Sequence, residues 1–328
     1  MKAIICKTLG PPENLVLEEA ADPVADKLEA VIDVYSASLN FPDGLQIQGK
    51  YQFQPELPFS PGSEVGGVIS ATGPGLEGFA IGDRVMAFPG LGGLAEKVVA
   101  RAETMRKIPD SMDFKTAASF AMVYTTSYYA LKQRANLKAG ETLLVLGASG
   151  GVGLAAVELG KLMGARVIAA ASSDEKLAFV NQLGPDELLN YGDGELKEKV
   201  KALTNGKGAD IIYDPVGGDL FDQSCRCINW NGRLLVIGFT SGRIPEYKAN
   251  LALLKGSSMV GVFLGRFRKD EPNEYDRNFQ ELLSMYDDGK LHPLITESFA
   301  MENYVDAFNV FTERKVMGKV TLEIRADN

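Results

Sequence analysis

Histidine is nearly absent from this chain: His292 is the only one among 328 residues. That excludes His-rich metal sites and makes any mechanism with a histidine base depend on one side chain. Cysteine is scarce too. Cys6, Cys225 and Cys227 cannot build a disulfide framework in a chain this long. The Cys225-Arg226-Cys227 spacing reads as two small packed residues near a helix end, not as a redox or metal pair. No apolar run approaches the ~20 residues that cross a bilayer, and the short one at residues 1–7 is too brief for a signal peptide. Positive charge is in deficit, with 34 Lys and Arg against 43 Asp and Glu for a net of −9. That argues against nucleic acid or an anionic membrane surface as an electrostatic partner. A reducing, cytoplasmic setting is expected.

What is present is an ordinary globular composition rich in tight turns, with 35 glycines, 45% hydrophobic and 23% charged residues. At roughly 150 residues per domain, two domains are expected. Residues 1–8, 15–19 and 29–36 carry strand patterns, the last with period-two alternation. Between residues 40 and 93 Gly and Pro are dense, with strand fragments at 67–70 and 84–88, which fits a compact, barrel-like β domain. Residues 115–132 have helical periodicity. From residue 141 the pattern alternates, with strands at 143–146, 166–171, 187–190, 210–213, 234–239 and 258–263. Helices fall between them at 151–163, 174–183 and 195–203. Such alternation builds a parallel sheet. After residue 266 it stops. Helices at 275–288 and 304–312 and a strand at 319–324 are too little to fold alone, so this tail is expected to return to the first domain. The expected division is 1–123, 124–266 and 267–328.

The strongest local signal is Gly147-Ala148-Ser149-Gly150-Gly151-Val152-Gly153, entered from the apolar run Leu143-Leu144-Val145-Leu146. A buried strand, a glycine cluster and a helix follow one another. Gly147 and Gly150 permit a sharp turn, Gly151 lets a pyrophosphate approach the backbone, and Gly153 lets the helix pack closely. The helix then aims free N–H groups at phosphates. Ala148 and Ser149 make the spacing looser than the strict dinucleotide fingerprint. Some 20 residues on, the strand at 166–171 runs into Ser172-Ser173, with Lys176 one turn later. Hydroxyls and a cation suit a 2′-phosphate, where a carboxylate would suit a free 2′-OH. Asp174 and Glu175 run against this but fit the first turn of a helix. NADPH is the expected cofactor.

The chain resembles the zinc-free quinone oxidoreductase (zeta-crystallin-like) branch of the medium-chain dehydrogenase/reductase superfamily. Three stretches carry the resemblance, which covers nearly the whole chain. The first holds Asn40-Phe41-Pro42-Asp43, Gly49-Lys50-Tyr51 and the run 57–68 around Gly62-Ser63-Glu64. The second is Gly82-Asp83-Arg84-Val85, and the third is residues 123–131 leading to the glycine loop. The resemblance implies an α/β fold in which a doubly wound, parallel Rossmann sheet is inserted into a GroES-like β-barrel catalytic domain made from both chain ends. Zinc-dependent relatives place a Cys near Asn40 to Asp43 and a His where Ser63 stands, so no zinc is expected here. The resemblance further implies a 2′-phosphate site at Ser172, Lys176 and Tyr191, and nicotinamide-side positions at Asn40, Thr126 and Phe239. It implies a homodimer as well. Lys319 matches a segment that returns to the cofactor, and reads equally as a phosphate contact or an exposed strand lysine. Together with the loop residues Gly147, Ser149, Gly150, Gly151 and Val152, and with Phe263, these complete the expected cofactor set.

Without a metal, hydride must reach an acceptor that is already electrophilic, a quinone or a conjugated carbonyl. Tyr51 is the expected proton donor by resemblance to a tyrosine proposed for that role in quinone and enoyl thioester reductases. Asn40 is expected to orient it or the nicotinamide ribose, and Tyr124 is a weaker alternative. His292, in a loop after a helix, is expected to be exposed or capping, not catalytic. Residues 262–269 follow the last strand of the inserted sheet. Phe263 there suits quinone stacking, Arg266, Arg268 and Lys269 suit the phosphates of a CoA thioester, and a solvated basic loop accounts for them equally. Three readings stand: a quinone reductase, a 2-enoyl thioester or enone reductase, and a non-catalytic NADPH-binding protein.

Overall fold

The computed structural model describes residues 1–313 and 315–326. Packing divides the chain into two units: Met1–Met122 with Pro293–Asn328, and Val123–His292. In the first unit β1 (Lys2–Cys6) and β2 (Leu15–Glu19) form an antiparallel pair. β3 (Glu29–Leu39) is the hub, with Ile32, Val34 and Ala37 fully buried. α1 (Phe41–Ile47) follows directly, then β4 (Glu64–Thr72), β5 (Arg84–Ala87), β6 (Lys97–Arg101) and β7 (Met105–Lys107). β3 pairs antiparallel with β4 throughout, and its first half also pairs with β6. The helix α1 was not expected in this Gly- and Pro-rich stretch. Pro42 stands in its first turn, where a missing N–H costs nothing.

The second unit is entered within α2 (Phe114–Tyr129), which widens at its end into a π-helical turn at Ala130–Arg134, with Ala135 N–H donating to Ala130 O, rather than continuing to Lys132 as a regular helix. Strand and helix then alternate: β8 (Thr142–Val145), α3 (Gly151–Leu162), β9 (Arg166–Ala171), α4 (Asp174–Val180), β10 (Glu187–Asn190), α5 (Leu196–Leu203), β11 (Ala209–Asp214), α6 (Gly218–Cys227), β12 (Ile228–Val236), α7 (Ala249–Lys255) and β13 (Ser258–Gly261), where the strands and the first three helices follow the expected pattern and α6 and α7 add to it. All six strands are parallel, in the order β10-β9-β8-β11-β12-β13. Counted along the chain this is 3-2-1-4-5-6, the doubly wound dinucleotide-binding order, whose ligand crevice lies at the carboxyl ends of the two central strands. Leu143, Leu144 and Val145 are fully buried, each contributing about 1.5–3 kcal/mol.

Four expectations change here. Residues 264–270 are not a loop but α8 (Leu264–Asp270), followed by α9 (Pro272–Asp287). Both belong to the second unit, so the inserted stretch ends at His292 instead of residue 266. Apolar packing explains it: the Phe267 ring stacks on Tyr129 at 3.9 Å, and Tyr275 and Phe279 continue the aromatic row. The sixth-strand expectation at 258–263 stops at Gly261, and 234–239 stops at Val236.

The chain then returns to the first unit as β14 (Ile295–Ala300), α10 (Tyr304–Thr312) and β15 (Lys319–Glu323). β15 pairs antiparallel with β3, from Val320↔Leu39 to Glu323↔Ser36, and parallel with β14. Among the described residues no helix is long and apolar enough to cross a membrane.

Candidate functional site

Two groups of side chains concentrate the expected chemistry, one in each unit. In the second unit β8 ends at Val145 and the glycine loop begins. Gly147 sits at φ +56°, in the left-handed region that favours glycine. The turn is closed by Gly150 N–H donating to Gly147 O at 3.0 Å, and Ala148 N–H donates to Ala170 O of β9 at 3.0 Å. Gly150 is the N-cap of α3 and has no side chain to bond the first-turn amides. A Cβ on Gly153 would lie 2.3 Å from Gly147 O. Helix and loop therefore touch backbone to backbone, leaving α3 amides open at its start. This is a cradle for an anion, and a dinucleotide pyrophosphate fits it.

The loop's neighbours are held firmly. Ser127 of α2 donates its hydroxyl to Val152 O at 2.9 Å and shares a 2.8 Å hydrogen bond with the Tyr213 hydroxyl, which brings the helix bearing half-buried Thr126 against the start of α3. Asp214 ends β11 with Oδ1 accepting from Val216 N–H and Gly217 N–H, both at 2.8 Å. Burial nonetheless raises its carboxyl to about 6, against the pull of those two amides. Phe239 stands at Gly217, whose added Cβ would lie 3.1 Å from its ring. Tyr191 lies near the glycine loop: burial pushes its hydroxyl up to about 12, while a hydrogen bond with the Gly147 backbone pulls it down. Ser172 is exposed at the end of β9, and Ser173 caps α4 by accepting from Lys176 N–H at 3.3 Å. Burial lowers the Lys176 ammonium from its usual range. Phe263 is 57% exposed, at the N-cap of α8.

In the first unit, Asn40 closes β3 and opens α1. Its N–H donates to Asp43 Oδ2 at 2.7 Å, half of a capping box. Its Nδ2 donates to Glu64 Oε2 at 3.1 Å and Ser63 Oγ at 3.5 Å, and its Oδ1 accepts from Lys319 Nζ at 2.6 Å. Lys319 Nζ also reaches Glu64 Oε2 at 3.3 Å, and Glu64 Oε1 accepts from Met122 N–H at 2.6 Å. Lys319 is 5% exposed, so it is not the exposed strand lysine, and its ammonium is already engaged by Asn40 and Glu64. Asp43 is wholly buried, and among the described residues its Oδ1 has no close hydrogen-bond partner, although the Ser63 hydroxyl lies near enough to help hold the carboxyl down. Burial raises its carboxyl to about 7; the Asn40 amide and the Lys319 charge oppose the rise, and Glu64 adds to it. Tyr51 is half-buried nearby, pushed above its usual range by burial and then by the Asp43 charge.

The remaining candidates resolve simply. Cys225 and Cys227 lie in the last turn of α6, and burial pushes their thiols up to about 11 and about 12, away from reactivity. The His292 side chain is 66% exposed, as expected, but Nδ1 stands 3.1 Å from Glu158 Oε1, which also accepts from His292 N–H at 2.7 Å. Glu158 Oε2 in turn accepts from the Tyr124 hydroxyl at 2.7 Å, so Tyr124 is a structural tie within the second unit. Asp43, Glu64 and Asp214 were missed by sequence reading. Only Asp43 had a signal, the Asn-x-x-Asp spacing of a helix start.

Known proteins match along the same lines. The family described as alcohol dehydrogenase GroES-like domain matches residues 26–110, and that described as zinc-binding dehydrogenase matches residues 151–284. Quinone oxidoreductase-like protein 2 homolog of Nematostella vectensis is 39% identical over 328 residues, spanning 99% of this chain and 89% of that protein. A mycobacterial protein solved in complex with NADPH superposes with TM-score 0.93 at 29% identity, over 99% of this chain and 100% of that one. Escherichia coli quinone oxidoreductase complexed with NADPH superposes with TM-score 0.91 at 25% identity, again over 99% and 100%.

Proposed function

Because the chain belongs to the quinone oxidoreductases of the medium-chain dehydrogenase/reductase superfamily, we propose that it reduces a quinone with NADPH and needs no zinc to do so. The glycine cradle at the start of α3 is the observation that carries the cofactor half of this reading, since its amides and its backbone-tight packing suit a pyrophosphate. Ser172, Lys176 and Tyr191 hold the 2′-phosphate end, and Thr126 and Phe239 serve the nicotinamide end. NADPH supplies, when bound, the hydride.

Support for the metal-free half comes from the donors around Asn40. An amide, a hydroxyl, an ammonium and one carboxylate meet there: Asn40 faces Ser63 at 3.5 Å, Lys319 Nζ lies 2.6 Å from Asn40 Oδ1, and the Glu64 carboxylate is taken up by Asn40 Nδ2, Lys319 Nζ and Met122 N–H. A fixed ammonium at that distance repels a cation, and amide and hydroxyl oxygens are poor zinc ligands beside imidazole and thiolate. With no Lewis acid, the acceptor has to be electrophilic in itself, which a quinone is. Asn40 is the orienting residue, and Tyr51 donates its hydroxyl proton to the acceptor oxygen, leaving tyrosinate to be reprotonated from solvent. A second copy of the chain is the proposed partner. Among the described residues β13 is the last strand of its sheet, paired on one side only, with Met259 on it and Leu253 and Leu254 just before it exposed. Edge strands of this kind invite pairing with an identical edge.

The test is NADPH oxidation followed with a 1,4-quinone and with a short enoyl-CoA, in the wild type and in Tyr51→Phe. A higher kcat/KM for the quinone is expected, together with a loss of about 10²-fold in kcat for the variant. Preference for the enoyl thioester would replace the acceptor, unchanged turnover in Tyr51→Phe would remove the donor, and NADPH binding without turnover of either acceptor would reassign the chain to a non-catalytic binder.

A further inference from the structure

We propose that Asn190 sets the preference for a 2′-phosphorylated cofactor by holding the Asp174 carboxylate away from the adenosine ribose; this rests on the NADPH reading above. In doubly wound folds the turn after the second strand reads that ribose, and an acidic residue there favours a free 2′-OH and repels a 2′-phosphate. This chain does carry an acid in that turn: β9 ends at Ala171, and Asp174 opens α4 three residues later. By position alone it belongs to an NAD-reading site.

The structure shows what occupies the carboxylate. Asp174 Oδ1 accepts a 2.7 Å hydrogen bond from Asn190 Nδ2, at the end of the neighbouring strand β10. The Asn190 amide has one orientation only, because its Oδ1 accepts from Gly192 N–H at 2.8 Å and a backbone amide can only donate. The Nδ2 group must therefore face Asp174. The Asn190 main chain is also fixed, its carbonyl accepting from Lys199 Nζ at 2.7 Å. Gly192 keeps this turn against β9: a Cβ there would lie 2.6 Å from Ser172 O. Asn190 thus gives Asp174 a neutral, rigid partner drawn from the next strand. A lysine in its place would add a second cation, and an apolar residue would leave the carboxylate free to turn toward the ribose.

A charge-assisted hydrogen bond on the surface and the repulsion between two partly solvated anions are each modest, so the expected effect is about five-fold in affinity. The experiment is calorimetric titration of NADP⁺ and NAD⁺ into wild type, Asn190→Ala, Asp174→Asn and the double variant, with thermal melts to confirm folding. Asn190→Ala should weaken NADP⁺ by about five-fold and leave NAD⁺ unchanged or tighter. On the Asp174→Asn background the same substitution should have no effect on NADP⁺, the coupling a double-mutant cycle isolates. Equal weakening of both cofactors by Asn190→Ala, or a loss that persists without Asp174, overturns the proposal. Equal wild-type affinity for NADP⁺ and NAD⁺ overturns the NADPH reading itself, and this inference with it.

Discussion

Replacing Gly153 with alanine tests the cofactor cradle through a single methyl group. The added Cβ would lie 2.3 Å from Gly147 O, 2.8 Å from Ala148 Cα and 3.0 Å from Ala148 C. Carbon atoms rest at about 3.5 Å, so the loop would have to retreat by roughly 0.7 Å from the Ala148 Cα alone. Its routes of retreat are closed. Ala148 N–H is bonded to Ala170 O, Gly150 N–H to Gly147 O, and the obstacles are backbone atoms that cannot swing aside as a side chain would. Overpacking in a tight interior costs about 1–3 kcal/mol, and obstacles of backbone place this case at about 2–3 kcal/mol. Taken from binding, that is roughly a 30- to 150-fold rise in the Kd for NADPH; taken from the fold, it is a lower Tm. Fluorescence titration of NADPH beside a calorimetric melt reads both. A Gly153→Ala protein that binds NADPH within about three-fold of wild type, at an unchanged Tm, would refute the claim that this glycine is there for close packing under the phosphates.

Two further predictions concern other parts of the molecule. Asp43→Asn should flatten part of the pH dependence of stability. Burial raises the Asp43 carboxyl from 3.8 to about 7, so between those values the folded state keeps a proton that the unfolded state gives up. The Asp43 contribution to wild-type stability must then fall as pH rises through that window and level off above it. Urea unfolding at about pH 4 and about pH 8 should show the variant gaining on wild type at the higher pH; an identical slope in both proteins would remove Asp43 as the cause. Met259→Glu on the β13 edge, where Met259 is 49% exposed, should turn a sedimenting dimer into a monomer without altering NADPH affinity. A wild-type monomer, or a variant that remains dimeric, would rule that edge out as the interface.

The sheet of the second unit and its glycine loop were largely readable because their signals are local. The run Leu143 to Leu146 is apolar without alternation because β8 is covered on both faces, and the glycines after it answer to a backbone need that no other residue meets. The parallel sheet followed from repeated strand–helix units, which have few alternatives; the strand order came from the structure. α8 went unread because Arg266, Arg268 and Lys269 look like solvated loop, whereas Leu264 and Phe267, three residues apart, are the two positions it buries. β14 hid for a related reason: most of its six residues are exposed, so its sequence carries no alternation. The cluster in the first unit could not be read at all. Lys319 is 279 residues from Asn40 and 255 from Glu64, and no periodicity links an ammonium to carboxylates and amides at that separation. Asn40 and Lys319 were named for the cofactor by resemblance; what binds them together is each other.

That long-range pairing orders events during synthesis. Residues 123–292 are contiguous and carry their own six-stranded sheet, so the nucleotide-binding unit can close as soon as it has left the ribosome. The first unit, although begun earlier, has to wait. Its hub strand β3 lacks a partner along its second half on one side until β15 arrives, and until then Glu64 and Asp43 face an interior without the Lys319 ammonium. Non-local contacts of this kind are slow to form and leave intermediates open to aggregation. The half of the protein translated first is therefore the half that matures last, and for most of translation it is a folding debtor to the final strand.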